Sequence, residues 1–375
     1  MLKGIYMTLM IGPVVPVPVP QVVLDALTSV KITINSGNRN PSAFELQFTI
    51  SNNSPLQTIL LLSGGAVLPL MRVMLIVTIN SIPDVVIDGI ITQQDITPGS
   101  AGHSTVTVKG VDMTAVMGKI DFDGIPYPCM PPEARVALIV AKYAMFGLIP
   151  LVIPSLLIDV PIPIDRIPRH IGTDLEYVYQ LAEDAGYVFY INPGPVPGMN
   201  IAYWGPEIKV GVPQPALNIN MDAHTNVESL NFSFNAEGST LPILMIYPKE
   251  LPVPIPIPIP AINPLSPPLG LLPPIPTNIE FLNTASLSPI QAVLKGIARA
   301  SQTMDAVTAS GSLDVLRYGR TLKARSLVGV RGAGMAFDGL YYVKSVTHNI
   351  KRGEYKQDFE LGRNGLISTL PKVPA

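Results

Sequence analysis

The sequence predicts a mainly β, α+β fold with two related β-barrel domains, a small α/β domain between them and a proline-rich arm. Three observations lead to this prediction. Short runs in which apolar and polar residues alternate lie on both sides of the middle of the chain, and alternation is typical of strands that bury one face. The middle shows helical spacing instead. An uncharged run dense in proline interrupts the second set of alternating segments. A chain of 375 residues has room for two or three domains.

Residues 1–20 are predicted to form an N-terminal arm, and residues 21–117 the first β-barrel. The segment 43–51 alternates most clearly, since its apolar residues occupy every second position. Further strands are expected over the segments 24–34, 72–79, 85–95 and 104–109. A short helix is expected after Asp112, which would cap it, and Gly118 would end it.

Residues 118–215 are predicted to form the α/β insertion domain. A first helix is expected to open at the proline pair 131–132 and to run to residue 146. A second is expected to begin at Thr173, because Glu176 three residues later completes a capping box. Gly186 would end that helix, and Tyr187 would begin an aromatic strand.

Residues 216–247 and 285–366 are predicted to form the second barrel, with a C-terminal tail at 367–375. The proline-rich insertion, residues 248–284, separates the two parts. Proline alternates with isoleucine or valine over 252–260, a pattern that favours polyproline II geometry with apolar side chains around the axis. We therefore expect an arm that docks against other protein, although a disordered linker is the alternative. The candidate interface residues of this arm are Pro252, Ile255, Ile257 and Ile259.

The composition predicts a subunit of an assembly. Charged residues make up 14 % of the chain, hydrophobic residues 47 %, and the mean hydropathy is +0.37. Ordinary soluble domains carry about 25 % charged residues, so this chain should expose apolar surface of the kind that marks contacts. Membrane insertion is not expected, because the longest uncharged run, 251–279, contains eleven prolines, and each interior proline costs a helix about 3 kcal/mol.

Charge, cysteine content and the N-terminus bear on partners and location. From Lys295 onward there are thirteen Lys and Arg against six Asp and Glu. We interpret this basic part as a solvated strand face rather than a specific nucleic-acid site, because no platform of stacking aromatic residues accompanies it.

The single cysteine, Cys129, excludes an intrachain disulfide and fits synthesis in the cytoplasm. The first eleven residues faintly suggest a secretion signal, but no small-residue cleavage site follows them.

No catalytic residue, cofactor site or metal site is predicted, and the chain is not expected to be an enzyme. The four histidines lack metal-ligand spacing. Cys129 has no neighbouring residue that would mark it as a nucleophile. The glycines of the segment 329–334 are followed by strand patterns rather than a helix, which indicates a hairpin turn and not a phosphate loop. For His348, in the strand pattern 346–350, we expect a structural hydrogen bond.

Two blocks of the sequence resemble a known family. The block 312–366 contains short alternating strands separated by glycines, and the block 175–191 joins a helix, a glycine and an aromatic strand. This order resembles the late-control-D family, the baseplate hubs of contractile phage tails and injection systems, and the N-terminal hub part of VgrG. Structural roles are predicted for Gly186, Tyr187, Gly319, Gly332, Gly334, Gly339, Tyr341, His348 and Tyr355.

The resemblance implies a structural baseplate hub that forms a homotrimer. Two related barrels in each of three chains would give a pseudo-sixfold ring, which adapts a threefold spike to a sixfold inner tube. It implies a separate spike protein, an inner tube protein and other baseplate components as partners, and incorporation into a virion or extracellular injection particle after cytoplasmic synthesis. Phage, free and membrane-anchored systems stay open. The alternatives are a β-rich extracellular binding module and, less favoured, a cell-wall-degrading enzyme.

Overall fold

The computed structural model describes residues 5–37, 39–51, 70–99, 102–155, 160–161, 163–164, 167–194, 196–236, 240–246, 255–259, 266–275, 278–282, 289–302 and 305–370. The strands of the first part are β1 (Ile5–Pro13), β2 (Val17–Pro18), β3 (Leu27–Asn35), β4 (Ala43–Ser51), β5 (Met71–Ile79), β6 (Ile82–Pro98) and β7 (His103–Asp112). Those of the middle are β8 (Leu148–Val152), β9 (Val188–Pro193), β10 (Asn200–Gly205), β11 (Gln214–Asn218), β12 (Ser229–Phe234), β13 (Thr240–Ile246), β14 (Ile255–Pro258), β15 (Gly270–Leu272) and β16 (Asn278–Leu282).

The last strands are β17 (Val307–Asp314), β18 (Leu327–Arg331), β19 (Gly339–Lys351), β20 (Glu354–Arg363) and β21 (Leu366–Ser368). The helices are α1 (Gln21–Ala26), α2 (Thr114–Met117), α3 (Pro132–Ala141), α4 (Asp174–Ala185), α5 (Pro289–Gln302) and α6 (Val315–Tyr318). Short 3₁₀ turns lie at Ala144–Phe146 and Asp222–His224.

One large sheet dominates the molecule. Its strand order is β12-β17-β20-β19-β3-β4-β7-β6-β5-β1-β2, and β11 and β18 join it beside β19. The first half (β1 to β7) and the second half (β11, β12 and β17 to β20) meet where β3 pairs antiparallel with β19, for instance at Val30 and Ile350. Buried apolar residues of both halves form one continuous cluster. The predicted mainly β fold is confirmed.

The first half contains the expected strands with two differences. Residues 5–13, which we expected in an N-terminal arm, form β1 and pair with β5 along their whole length. Their apolar side chains Ile5 and Leu9 enter the core, and that burial favours a strand over a free arm. Residues 24–26, expected in a strand, belong to α1, which begins after Pro20 because proline suits a helix start. Asp112 accepts from the amide of Thr114 but is not the cap of α2, whose N-cap is Met113.

The middle of the chain forms a separate α/β unit. Strand β10 pairs with β8 in parallel and with β9 antiparallel, and helices α3 and α4 pack on this sheet. The predicted capping box is present, since the Thr173 hydroxyl accepts from the Glu176 amide while the Glu176 carboxylate accepts from the Thr173 amide. The helix ends at Gly186 in left-handed geometry, with φ of 69°. Trp204 of β10 is fully buried at the centre of the unit.

The proline-rich region is organised differently from the prediction. Strand β13, which we placed in the second barrel, pairs with β14 of the proline-rich insertion and with β16. Helix α5, also placed in that barrel, packs on this small sheet through Ala292, Val293 and Ile297. The apolar stripe of α5 therefore covers Leu244 of β13 rather than the main core.

Candidate assembly surfaces

The described part of the proline-rich arm is a β-strand and not a polyproline II helix. Residues 255–258 pair antiparallel with β13, and the amide of Ile259 donates to the carbonyl of Pro242 at 3.1 Å. Alternate residues of a strand direct their N–H groups to the same edge. The isoleucine amides thus face β13, whereas the prolines, which have no N–H, face the outer edge. Alternation with a period of two therefore yields a strand with one edge that can pair and one that cannot.

The small sheet of β14, β13 and β16 has a covered face and an open face. Ile259, 7 % exposed, is buried against Leu244 and Ala292 on the covered side. Ile255 and Ile257 are 42 % and 38 % exposed, and Pro252 lies outside the described residues. The pairing register places the following side chains on the open face, none of them charged: Leu241, Ile243, Met245, Pro256, Pro258, Ile279 and Phe281. This apolar face is a candidate contact surface.

Glycines of the C-terminal block occupy turns and close approaches. Gly319 ends α6, and Gly339 begins β19. Gly332 and Gly334 follow β18 with φ of 86° and 93°. A Cβ on Gly332 would lie 1.9 Å from the carbonyl oxygen of Ile219, so only glycine fits this approach.

His348 and Tyr355 form a buried pair between β19 and β20. The Nδ1 atom of His348 lies 2.7 Å from the Tyr355 hydroxyl, so the expected structural hydrogen bond is present. Burial lowers the pKa of His348 to about 4, which keeps its ring neutral. The side chain of Gln357 extends this network to the backbone of Leu322, from whose amide it accepts at 2.8 Å.

Tyr341 is held by a residue that the sequence did not single out. Its hydroxyl donates to the carbonyl of Phe337 at 2.7 Å, and the guanidinium of Arg363 stacks 4.5 Å from its ring centre. Arg363 is fully buried and donates to the carbonyls of Ala336, Asp338 and Gly365. Arg363 therefore holds the backbone of the C-terminal turns together, and no local motif indicates its role.

Tyr187 fixes the start of the aromatic strand in the α/β unit. Its ring meets the indole of Trp204 edge-on, with the centroids 4.8 Å apart, and its hydroxyl donates to the carbonyl of Pro154 at 3.1 Å. Both contacts lie within the unit. Gly186 and Tyr187 therefore lie apart from the glycine turns of the C-terminal block and serve the helix-to-strand connection.

Two arginines connect the α/β unit to the main sheet: the half-buried Arg325, and the buried Arg72, which donates to the carbonyl of Gly198 between β9 and β10 at 3.0 Å. Arg325 stacks 3.9 Å from the ring centre of Tyr190 and donates to the carbonyl of Asn35 at 2.8 Å. Burial lowers the pKa of Arg325. Arg72 forms a bidentate pair with Asp88, and both of its nitrogen–oxygen distances are 2.6 Å. No local motif indicates these two residues, because Gly198 and Asn35 are distant from them in the chain.

The titratable groups of the α/β unit form a closed network. Asp174 accepts from Lys142 and Tyr143, each at 2.7 Å, and lies 3.5 Å from His170. His170 and Asp174 are fully buried, and burial lowers the pKa of His170. The Nδ1 atom of His170 lies 3.0 Å from the Tyr127 hydroxyl. Because Lys142 and Tyr143 follow α3 and Asp174 begins α4, this cluster ties the end of one helix to the start of the next.

Two cavities lie at the junctions of the fold. The first, about 310 Å³, lies between β1, α1, the start of β3 and the turn that joins β19 to β20. The second, about 400 Å³, lies between the α/β unit and the second half, and Glu207, Asp305 and Lys344 line it. Within the described ranges, no cluster of three or more His, Cys, Asp or Glu side chains has the geometry to hold a metal ion.

In the part of the chain that the structure describes, no helix combines the length and apolar character needed to cross a membrane.

The chain shares its fold with phage tail proteins. Over 97 % of this chain and 98 % of the other, it superposes on the tail protein from Neisseria meningitidis MC58 with a TM-score of 0.65 and 12 % identity. The 43 kDa tail protein of prophage MuSo2 from Shewanella oneidensis matches with a TM-score of 0.64 and 12 % identity, over 96 % and 99 % of the two chains. No protein-family model and no curated protein sequence matches the chain.

A chain of the Francisella PdpA–VgrG complex is similar as well. Its TM-score is 0.58 at 9 % identity, and the match covers 100 % of this chain and 55 % of that one. The fold therefore is one found in phage tail proteins and in a VgrG complex, as the resemblance implied. Membership of the late-control-D family stays a prediction.

Proposed function

We propose that this chain is a structural baseplate hub of a contractile tail or injection system. The observation that carries the proposal is the match to two phage tail proteins over nearly the whole length of each chain. The hub acts by shape and contact, without a catalytic step.

We propose further that three copies form a ring. Each chain supplies two sheet halves joined at β3 and β19, so three chains present six similar positions. Such a ring lets a threefold spike meet a sixfold inner tube. The low charge content supports an assembled state, because apolar side chains as exposed as Phe281 at 64 % are better covered by protein than by water.

The proposed partners are two further copies of this chain, a separate spike protein, an inner tube protein and other baseplate components. The proposed location is a phage tail-like particle, assembled after synthesis in the cytoplasm. Neither specific nucleic-acid binding nor membrane insertion forms part of this role.

Sedimentation of the purified chain tests the proposal. A stable species of three times the 40.2 kDa chain mass supports the hub. Co-sedimentation with an inner tube protein of a contractile tail tests the adaptor role separately. A monomer that binds no tube protein would contradict the hub and favour a β-rich binding module.

A further inference from the structure

Among its described residues, the first half of the sheet does not close on itself by strand pairing. Strands β1 and β3 are the two ends of the six-strand path β3-β4-β7-β6-β5-β1. Both line the 310 Å³ cavity, which is therefore a groove at the seam of this half. Helix α1 and the β19–β20 turn form the other walls.

One wall of the groove is the free edge of a strand. The amide of Val19 donates to the carbonyl of Leu9, so the backbone groups of Leu9 point away from β5. Since alternate residues share an edge, the N–H and C=O groups of Ile5 and Met7 point the same way. Among the described residues, the backbone N–H and C=O groups of Ile5 and Met7 have no hydrogen-bond partner on that edge.

The chain itself already uses the neighbouring part of this edge. Strand β2 pairs with Met10 and Ile11, and Pro20 then turns the chain into α1. The ladder therefore stops before Met7, although the edge continues to Ile5. An incoming strand that pairs with these two residues would continue the line of β2.

The lining indicates the chemistry of such a strand. Apolar side chains dominate the groove, among them Leu24, Leu27 and Ile350, and they suit apolar residues at alternate positions of a strand. At the rim, Lys351 and Arg352 outnumber the single acidic residue, Asp25. The carboxylate of Asp25 accepts from the neutral side chain of Gln21, and Arg352 donates to the carbonyl of Asp25, so the rim keeps an excess of positive charge. The excess positive charge favours a carboxylate on the ligand.

We propose that this groove binds an extended segment of a partner protein, apolar at alternate positions and followed by an acidic residue, as an added strand beside β1. Strand addition to a free sheet edge is an established mode of peptide recognition. A volume of about 310 Å³ lies at the small end of ligand pockets. The pairing segment is accordingly short, about three residues opposite Ile5 to Met7.

A labelled hexapeptide, Val-Thr-Val-Thr-Val-Glu, tests the proposal by fluorescence anisotropy with the full chain. Saturable binding with Kd below about 1 mM is expected. Two control peptides separate the contributions. Replacement of the first two valines by proline removes donors needed for pairing and should abolish binding, and replacement of glutamate by lysine should weaken it.

Two variants of the chain locate the site. Met7→Pro removes the outward N–H while the ladder between β1 and β5 uses Tyr6 and Thr8, so binding should weaken at least about fivefold, the equivalent of one hydrogen bond. Lys351→Glu should weaken it too. Tyr6→Thr changes an exposed side chain on the opposite face and should leave binding within twofold.

Three outcomes would overturn the proposal. They are the absence of saturable binding up to about 1 mM, equal binding by wild type and the Met7→Pro variant, or self-association of the wild type that Met7→Pro abolishes. The last result would assign the edge to a second copy of this chain. Should Met7→Pro unfold the protein, the Lys351→Glu variant decides, since it alters only an exposed side chain.

Discussion

Replacement of Asp88 by alanine should destabilise the chain strongly. Arg72 and Asp88 are 5 % and 1 % exposed and form two nitrogen–oxygen contacts of 2.6 Å. Asp88 also accepts from the amide of Asn200 at 2.9 Å, which connects β6 to the α/β unit. Without the carboxylate, the guanidinium of Arg72 would keep its hydrogen bonds to the carbonyls of Val14 and Gly198, but its buried charge would have no counter-charge. Breaking a buried pair in this way costs about 3–5 kcal/mol, a large fraction of the about 5–15 kcal/mol that stabilises an ordinary domain.

Urea unfolding followed by the fluorescence of Trp204, the only tryptophan, measures this loss. Asp95→Ala is the matched control, because Asp95 lies in the same strand but its ion pair is exposed. The side chains of Asp95 and Lys109 are 42 % and 41 % exposed. Solvent screens that pair, so its loss should leave the midpoint nearly unchanged. A double variant, Arg72→Met with Asp88→Leu, should recover most of the stability. Equal midpoints for the Asp88→Ala and Asp95→Ala variants would refute the reasoning.

Three further predictions concern the turn glycines, the buried histidine and the apolar sheet face. Gly332→Ala should lower the free energy of unfolding by more than about 2 kcal/mol, because the added methyl group would both clash with backbone and suffer the strain of a left-handed φ. In the control, Gly334→Ala, the methyl group meets open space, so only the strain of about 1–2 kcal/mol remains. Equal unfolding midpoints of the two variants would contradict this. His348 has a pKa of about 4 in the folded chain against 6.5 unfolded, so the stability it contributes is present above pH 6.5 and falls by about 3 kcal/mol as the pH drops towards 4. His348→Gln should assemble normally and lose that part of the pH dependence, and an unaltered pH profile would count against the assignment. Phe281→Ser should lower the assembled fraction in sedimentation while Ile82→Ser, equally exposed at 71 %, should not; identical profiles would remove the face from the interface.

Local signals predicted much of the fold. The capping box at Thr173, the glycine that ends its helix and the strand over 43–51 all lie where the sequence places them. Each depends on residues within a few positions of one another. Such features are set by backbone propensity and by the period of burial, so a single sequence carries them.

Long-range pairing was beyond the sequence. The contact of β3 with β19 joins residues more than 300 positions apart, and the sequence of neither strand indicates which strand it pairs with. Strand β1 was assigned to an arm because the neighbouring prolines dominated the pattern. No local motif indicates Arg325 or Arg363 either, since the carbonyls of Asn35 and Asp338, to which they donate, lie 290 and 25 positions away.

The proline-rich segment shows how a local rule can be overridden. Proline restricts φ and its predecessor to extended geometry, which both polyproline II and an edge strand satisfy. The period of two decides between them once a neighbouring strand is available, because every isoleucine amide then faces β13. The sequence predicted the extended backbone of 255–258 but not its partner.

Electron microscopy of the isolated chain tests the proposed ring of three copies most directly. We expect class averages with threefold symmetry in which each copy contributes two similar lobes, so that six lobes surround a central opening. Single chains only, or closed rings of any other order, would contradict it.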